Sequence, residues 1–295
     1  MAVVAEDPQK QLEWEARQRP RAGIAAMVVV ATAIAQFWIN VNLYKDAPSP
    51  SGIETLQRAL KPGPVADLPS LLIPRMQYLD DRLVLQLLIG ALGLIGGIAT
   101  AWVIGFLAVA ARARRPQTGR WLIYLAIAGG VLTGIYALLN SIGEITHARS
   151  ALDGGRTVAD VAKGDGLLVF SRSLGFFALL ASLFAFIMVS VNAMRVGLLT
   201  RFLGIIGIGC GVFILLSPLL SVLLQVIFLT AVGLILLGYW MGGVPPAWET
   251  GRAELLPSRQ SPQRRGVPEP APEAAAPAAT PARPAGTRGK RKKRH

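Results

Sequence analysis

The sequence predicts an all-α, polytopic bundle of about six membrane-spanning helices, and three observations carry that prediction. First, its 295 residues are 53% hydrophobic and 16% charged, with a mean hydropathy of +0.48, values that water-soluble domains rarely reach. Second, the charged residues leave long intervals with none: Ala22–Leu43, Leu83–Ala111, Trp121–Gly143, Ser173–Met194 and Phe202–Trp248. Each is long enough to cross a hydrocarbon core that requires about 20 apolar residues. Third, the excess of Lys and Arg falls on alternate segments between those intervals, as a membrane topology requires. One cysteine and two histidines exclude an intramolecular disulfide framework and a Cys/His zinc site.

Taken in order, the first span covers about 22–43, after an N-terminal segment 1–21. Ala33-Ile34-Ala35 offers a small-x-small cleavage site, but cutting there would divide a continuous apolar stretch, and the preceding segment carries four acids. An uncleaved first helix is expected. Spans two, three and four cover about 84–111, 121–142 and 174–194. The last charge-free interval, at 47 residues, is about twice one crossing. Ser217-Pro218 lies near its middle, where the proline ring removes a backbone donor, so the interval divides into spans at 202–216 and 219–241. The chain thus has three parts: 1–21, a six-span domain 22–241, and a tail 242–295.

Charge sets the orientation. The N-terminal segment holds 4 basic and 4 acidic residues, Arg112–Arg120 holds 4 and 0, Arg195–Arg201 holds 2 and 0, and the tail holds 11 and 4. The alternate segments are balanced, with 5 and 5 across Tyr44–Arg82 and 4 and 4 across Glu144–Arg172. The two short loops without acids read as cytoplasmic under the positive-inside rule, which puts both termini inside a cell membrane. Trp38, Trp121, Tyr239 and Trp240 fall near span ends, where amphipathic rings favour the headgroup region.

Two short interfacial helices are expected in the outer loops. Ser51 and Glu54 have capping-box spacing ahead of Leu56 and Leu60, and Thr157 and Asp160 repeat that spacing before Gly164. After Trp248 the chain becomes rich in Pro and Ala, cannot bury enough apolar surface to offset chain entropy, and is expected to be disordered. It ends in a cluster of Arg288, Lys290, Arg291, Lys292, Lys293 and Arg294. Beside a cytoplasmic leaflet these cations would engage anionic lipid headgroups, each contributing about 1 kcal/mol. Nucleic acid or ribosomal phosphate is the less economical partner, since lipid follows from tethering alone.

Inside the spans there is no Asp, Glu, Lys or Arg, which disfavours transport coupled through a buried carboxylate. The intramembrane polar candidates are Gln36, Asn40, Gln86 and Gln225, with Asn192 at a span end. They either line a path or hydrogen-bond neighbouring helices for about 0.6–2 kcal/mol each. Asn140, Glu144 and His147 share a face, and Glu144-x-x-His147 has the spacing of di-metal bundles, but such a site needs a second histidine. No metal, cofactor or catalytic residue is therefore assigned. Gly93/Gly97, Gly130/Gly134 and Gly207/Gly211 are small-x-x-x-small pairs that serve either bundle packing or a homo-oligomer. Cys210 reads as a small buried apolar residue.

Over Asn192–Gly211 (Asn-Ala-Met-Arg-Val-Gly-Leu-Leu-Thr-Arg-Phe-Leu-Gly-Ile-Ile-Gly-Ile-Gly-Cys-Gly) and Pro245-Pro246-Ala247-Trp248-Glu249-Thr250-Gly251, the chain resembles uncharacterised bacterial multi-pass membrane proteins of domain-of-unknown-function type. The likeness extends from the first span to Trp248. It implies a six-span protein of a bacterial cell membrane and brings no activity, cofactor or site residue with it. The sequence is therefore read as a non-catalytic membrane scaffold or accessory protein with a polybasic cytoplasmic tail, with a protein partner or a second copy as candidate neighbours. The alternative is a transporter or channel for an uncharged small molecule. What separates the two is whether Gln36, Asn40, Gln86 and Gln225 face helix partners separately or meet in one cavity.

The topology is open to cysteine labelling. With Cys210 replaced by Ala, single cysteines at Ser70 and Ser150 are expected to react with an impermeant reagent in intact cells, and one at Thr118 to react only after permeabilisation. Labelling of the Thr118 position from outside would invert the orientation.

Overall fold

The computed structural model describes residues 8–60, 70–154, 157, 166–241 and 243–254, and its elements are helices. In chain order they are α1 (Pro8–Tyr44), α2 (Gly52–Ala59), α3 (Ile73–Asp80), α4 (Leu83–Arg114), α5 (Trp121–Gly154), α6 (Gly166–Arg195), α7 (Arg201–Leu216), α8 (Pro218–Leu237) and α9 (Ala247–Thr250). Among the described residues, α1, α4, α5, α6 and α8 are long and apolar enough to cross a membrane. Exposed Trp38, Tyr124, Phe170 and Phe177 on these helices would be a large unpartnered apolar surface in water.

The six long helices close into a ring in which each packs on the next, α1 on α4, then α5, α6, α7, α8 and back to α1. Two ends are distinguished below by the arginine each carries, the Arg114 end and the Arg172 end. The break at Ser217-Pro218 falls where the sequence predicts it. Ser217 is extended (φ −155°, ψ 99°) and Pro218 opens α8, where its missing N–H has no helical partner to lose. At 16 residues, α7 is about 24 Å long, and Thr200 caps it by accepting from the Leu203 amide at 3.3 Å.

Several boundaries differ from the sequence reading. The segment 1–21 is not separate from the first span: α1 runs unbroken from Pro8 through Pro20, because Gln11 and Glu15 bury against the bundle and hold the extra turns in place. α5 continues twelve residues past the expected end, to Gly154. Beyond the apolar span, Ala148 and Ala151 gain a partner in Met76 of α3, a helix the sequence reading did not anticipate, and Arg149 binds Asp80 at 2.9 Å. The expected capping box is present at α2, where Ser51 N–H donates to Glu54 Oε2 at 3.0 Å and Glu54 N–H to Ser51 Oγ at 3.1 Å. The second expected loop helix, from Thr157 to Gly164, lies outside the described residues apart from Thr157 itself. The tail does not begin at 242: residues 243–254 are ordered and carry Trp248 into the core at 4% exposure. The remainder, 255–295, lies outside the described residues.

The glycine pairs pack within the bundle. A Cβ on Gly97 of α4 would stand 2.5 Å from the Cα of Gly134 on α5, and one on Gly130 would stand 2.7 Å from the Cα of Ala101. Gly93/Gly97 and Gly130/Gly134 are thus two sides of one crossing, and Gly207 and Gly211 bring α7 against Ser190 and Ile187 of α6. The obstacle at Gly97 is backbone, which cannot swing aside. Gly97→Val is therefore expected to destabilise by about 1–3 kcal/mol or more, read as a lowered unfolding midpoint of the detergent-solubilised protein. The control Gly52→Ala, with nothing within 4 Å, should leave the midpoint unchanged.

Candidate functional site

The two ends of the ring differ in kind. At the Arg114 end the interior is filled. Arg114 and Glu15 have side chains 0% and 3% exposed and form a two-pronged pair, Nη1 to Oε1 at 2.5 Å and Nη2 to Oε2 at 2.8 Å. Arg114 also donates to the carbonyl of Ala247 from Nε at 3.0 Å and Nη2 at 2.6 Å, and to the Ala110 carbonyl at 3.0 Å. Gln11 donates to Glu15 Oε1 at 2.8 Å. A planar, permanently charged donor fork is thus matched by a carboxylate and two carbonyls, the condition for burying arginine without leaving a charge unpaired.

Trp248 fixes this end from the other side. Its ring stacks on Phe106 at 5.8 Å, Phe106 stacks on Trp14 at 5.7 Å, and the guanidinium carbons of Arg19 and Arg114 lie 5.4 and 5.3 Å from the Trp248 ring centroid. Its indole N–H donates to the Leu198 carbonyl at 3.0 Å, and Arg19 donates to the Ile235 carbonyl at 2.8 Å, near the end of α8. The turn at Val196–Leu199 holds the incoming chain, with Glu254 N–H donating to the Val196 carbonyl at 3.3 Å. Gly197 has φ +77°, and a Cβ there would collide with the Glu254 carbonyl, so this turn needs glycine twice over.

Toward the Arg172 end the ring encloses a cavity of about 770 Å³ with walls from α1, α4, α5, α6, α7 and α8. Gln36 and Asn40 of α1 and Gln225 of α8 line it, together with Thr133, Tyr136 and Arg172. Three of the four intramembrane candidates therefore share one space. The fourth does not: Gln86 is 6% exposed and donates to the Leu79 carbonyl at 3.0 Å, tying α3 to α4. Asn192 lies away from the cavity, donating to its own helix at Met188 (2.8 Å). The rim is open, since Phe37 on α1 and Leu219 on α8, neighbours in the ring, both line the cavity and are 52% and 71% exposed.

Among the described residues no cluster of three or more His, Cys, Asp or Glu side chains could hold a metal ion. Glu144 instead pairs with Arg172 at 3.3 Å on the surface. Cys210 is fully buried, and its carbonyl accepts from Ser221 at 3.2 Å. The cluster Arg288, Lys290, Arg291, Lys292, Lys293 and Arg294 lies outside the described residues. Sequence reasoning missed Glu15, Arg114 and Trp248, which it placed in soluble segments. Charge counting cannot tell a solvated arginine from a buried one, because the difference lies in partners 99 and 133 residues away. For the cavity a signal exists, in that Thr32, Gln36 and Asn40 recur every four residues along one face of α1. No family model, curated protein or solved structure matches the chain.

Removing one member of a buried ion pair strands the other, at a cost of about 3–5 kcal/mol. Arg114→Met and Glu15→Leu should each lower the thermal midpoint strongly. The double variant should lose less than the sum, because no uncompensated charge remains. Strict additivity in that thermal cycle would mean the pair does not couple.

Proposed function

We propose that the protein is a six-span cell-membrane protein that receives an uncharged small molecule in the cavity between its helices, and that it works by binding and passage rather than by catalysis. The observation that carries this reading is the convergence of Gln36, Asn40 and Gln225 on one cavity. Amides that served only to join helices would be distributed among separate seams. A volume of about 770 Å³ lies in the range of small-molecule sites. The scaffold reading has weaker support: Gln36 ties α1 to α4 through the Ile89 carbonyl but does so from the cavity wall, and Gln86 is the candidate that joins helices away from the cavity.

Helix direction supports the sixth span. α6 and α8 both finish at the Arg114 end, where Leu198 and Ile235 accept from Trp248 and Arg19, so α7 is the segment that returns the chain to the Arg172 end. Arg112, Arg114, Arg115, Arg195 and Arg201 belong to that first end, which makes it cytoplasmic under the positive-inside rule, along with both termini. The cavity then opens on the outer side and is closed on the inner side by Arg114, Glu15 and Trp248. The tail cations add adhesion to anionic lipid on the cytoplasmic leaflet.

Accessibility tests this arrangement. In a Cys210→Ala background, Thr133→Cys is expected to react with a small impermeant thiol reagent added to intact cells and to resist the same reagent in inside-out vesicles. Adding Ala33→Phe, which fills the cavity without removing a hydrogen bond, should slow the outside reaction at least tenfold. Reaction from the inside alone, or none from either side, would refute an outward vestibule.

A further inference from the structure

The chemistry of the cavity wall narrows what it would hold. The serine and threonine hydroxyls in the lining lie within donating reach of backbone carbonyls: Thr32 to Val28 at 2.9 Å, Thr100 to Gly96 at 2.8 Å, Thr133 to Gly129 at 2.8 Å, Ser182 to Gly129 at 3.0 Å and Ser221 to Cys210 at 3.2 Å, with Thr133 and Ser182 also bonded to each other at 2.9 Å. What these residues still present to the space is mainly acceptor capacity, while Tyr136 in the same wall has its O–H left to donate among the described residues. The amides behave alike. Gln36 donates to the Ile89 carbonyl at 2.9 Å, Asn40 to the Gln36 carbonyl at 2.8 Å and Gln225 to Ser221 Oγ at 3.0 Å. These partners also fix which amide atom is nitrogen, since a carbonyl can only accept and the Ser221 hydrogen is already donated. Among the described residues the side-chain oxygens of Gln36, Asn40 and Gln225 accept no hydrogen bond, and each amide retains a second N–H.

Charge is nearly absent. Among the described residues no carboxylate lines the cavity, and the one guanidinium there, Arg172, lies at the rim beside Glu144, so neither an ammonium nor a carboxylate finds an uncompensated counter-ion among them. The rest of the wall is apolar and aromatic, including Val30, Phe176, Leu179, Phe186 and Val222. The open rim between Phe37 and Leu219 faces the flank that the apolar exterior assigns to lipid.

We infer that the ligand class is a neutral, hydroxyl-bearing amphiphile: an alkyl or isoprenoid body held by the apolar wall, with a polar end that donates to the amide oxygens of Gln36, Asn40 and Gln225 and accepts from their remaining N–H groups. This rests on the vestibule reading above and specifies its substrate. A hydroxyl is both donor and acceptor, which matches a primary amide on both counts. An alkane leaves three half-buried amides unanswered inside the cavity, and an ionised head group would enter it without a partner.

The test uses the full chain in lipid nanodiscs and a diazirine-bearing twelve-carbon alcohol as photoprobe, with cross-linked residues mapped by mass spectrometry. Cross-links are expected at cavity residues such as Val30, Leu179 and Val222 and should be lost in Ala33→Phe. Excess dodecan-1-ol should compete at least about tenfold better than dodecane, dodecanoate or dodecyltrimethylammonium. Gln36→Leu and Gln225→Leu should each weaken the alcohol about five- to tenfold, one neutral hydrogen bond apiece, and leave dodecane unchanged. Because the ranking of competitors is measured on the unaltered protein, it stands even if a variant misfolds. Should dodecanoate compete as well as the alcohol and depend on Arg172, the amphiphile is anionic and the inference fails while the vestibule stands. Equal competition by all four probes overturns the inference in the same way. Cross-linking absent from the cavity, or indifferent to Ala33→Phe, overturns both.

Discussion

Burial of one guanidinium organises this molecule. Arg114 sits at the last turn of α4 with no solvent exposure, and a permanent cation in such a place must be answered in full or it unfolds its surroundings. Two of its partners are remote in sequence, the Glu15 carboxylate before the first apolar span and the Ala247 carbonyl after the last span, and the third is the Ala110 carbonyl one turn back. Meeting that requirement extends α1 beyond its apolar stretch. It also draws residues 243–254 back against the bundle and brings Trp248 onto Phe106.

That constraint makes the two halves of the ring unequal. Near Arg114 the core is continuous, with Ala22, Ala26, Val103, Phe106, Phe228 and Trp248 all buried. Toward Arg172 amides and hydroxyls join a largely apolar wall, and the space between the helices is not filled. The α4–α5 crossing at Gly97 and Gly134 lets those two helices touch backbone to backbone while leaving Thr133 on α5 at the cavity wall. The short α7 and the break at Ser217 bring Ser221 of α8 within hydrogen-bond reach of Cys210, which orients the Ser221 oxygen toward Gln225.

Polar economy within the cavity follows from the helical backbone. Threonine and serine on a helix readily donate to the carbonyl three or four residues back, and in an apolar setting they have little other choice. The serine and threonine part of the wall therefore offers mainly acceptors. The amides of Gln36, Asn40 and Gln225 each give one N–H to a neighbour and keep a side-chain oxygen and a second N–H for the space. These paired acceptors and donors give the cavity a chemical preference beyond its size.

The sequence by itself determined the helical class, the long apolar spans, the break at Ser217-Pro218 and the Ser51/Glu54 cap, because each depends on hydropathy or on residues within a few positions of one another. It also brought Gln36, Asn40 and Gln225 to notice, since polar residues in apolar stretches are conspicuous. Tertiary structure alone decided that these three share a space, that Gln36 also ties α1 to α4, and that Gln86 ties α3 to α4 outside it. It alone decided that Glu15 and Arg114 are a buried pair and that Trp248 belongs to the core and not to the tail. Local pattern records the period and polarity of each helix but not the rotation of one helix against another. The pairing of a charge with a partner about a hundred residues away exists only once that rotation is fixed by packing.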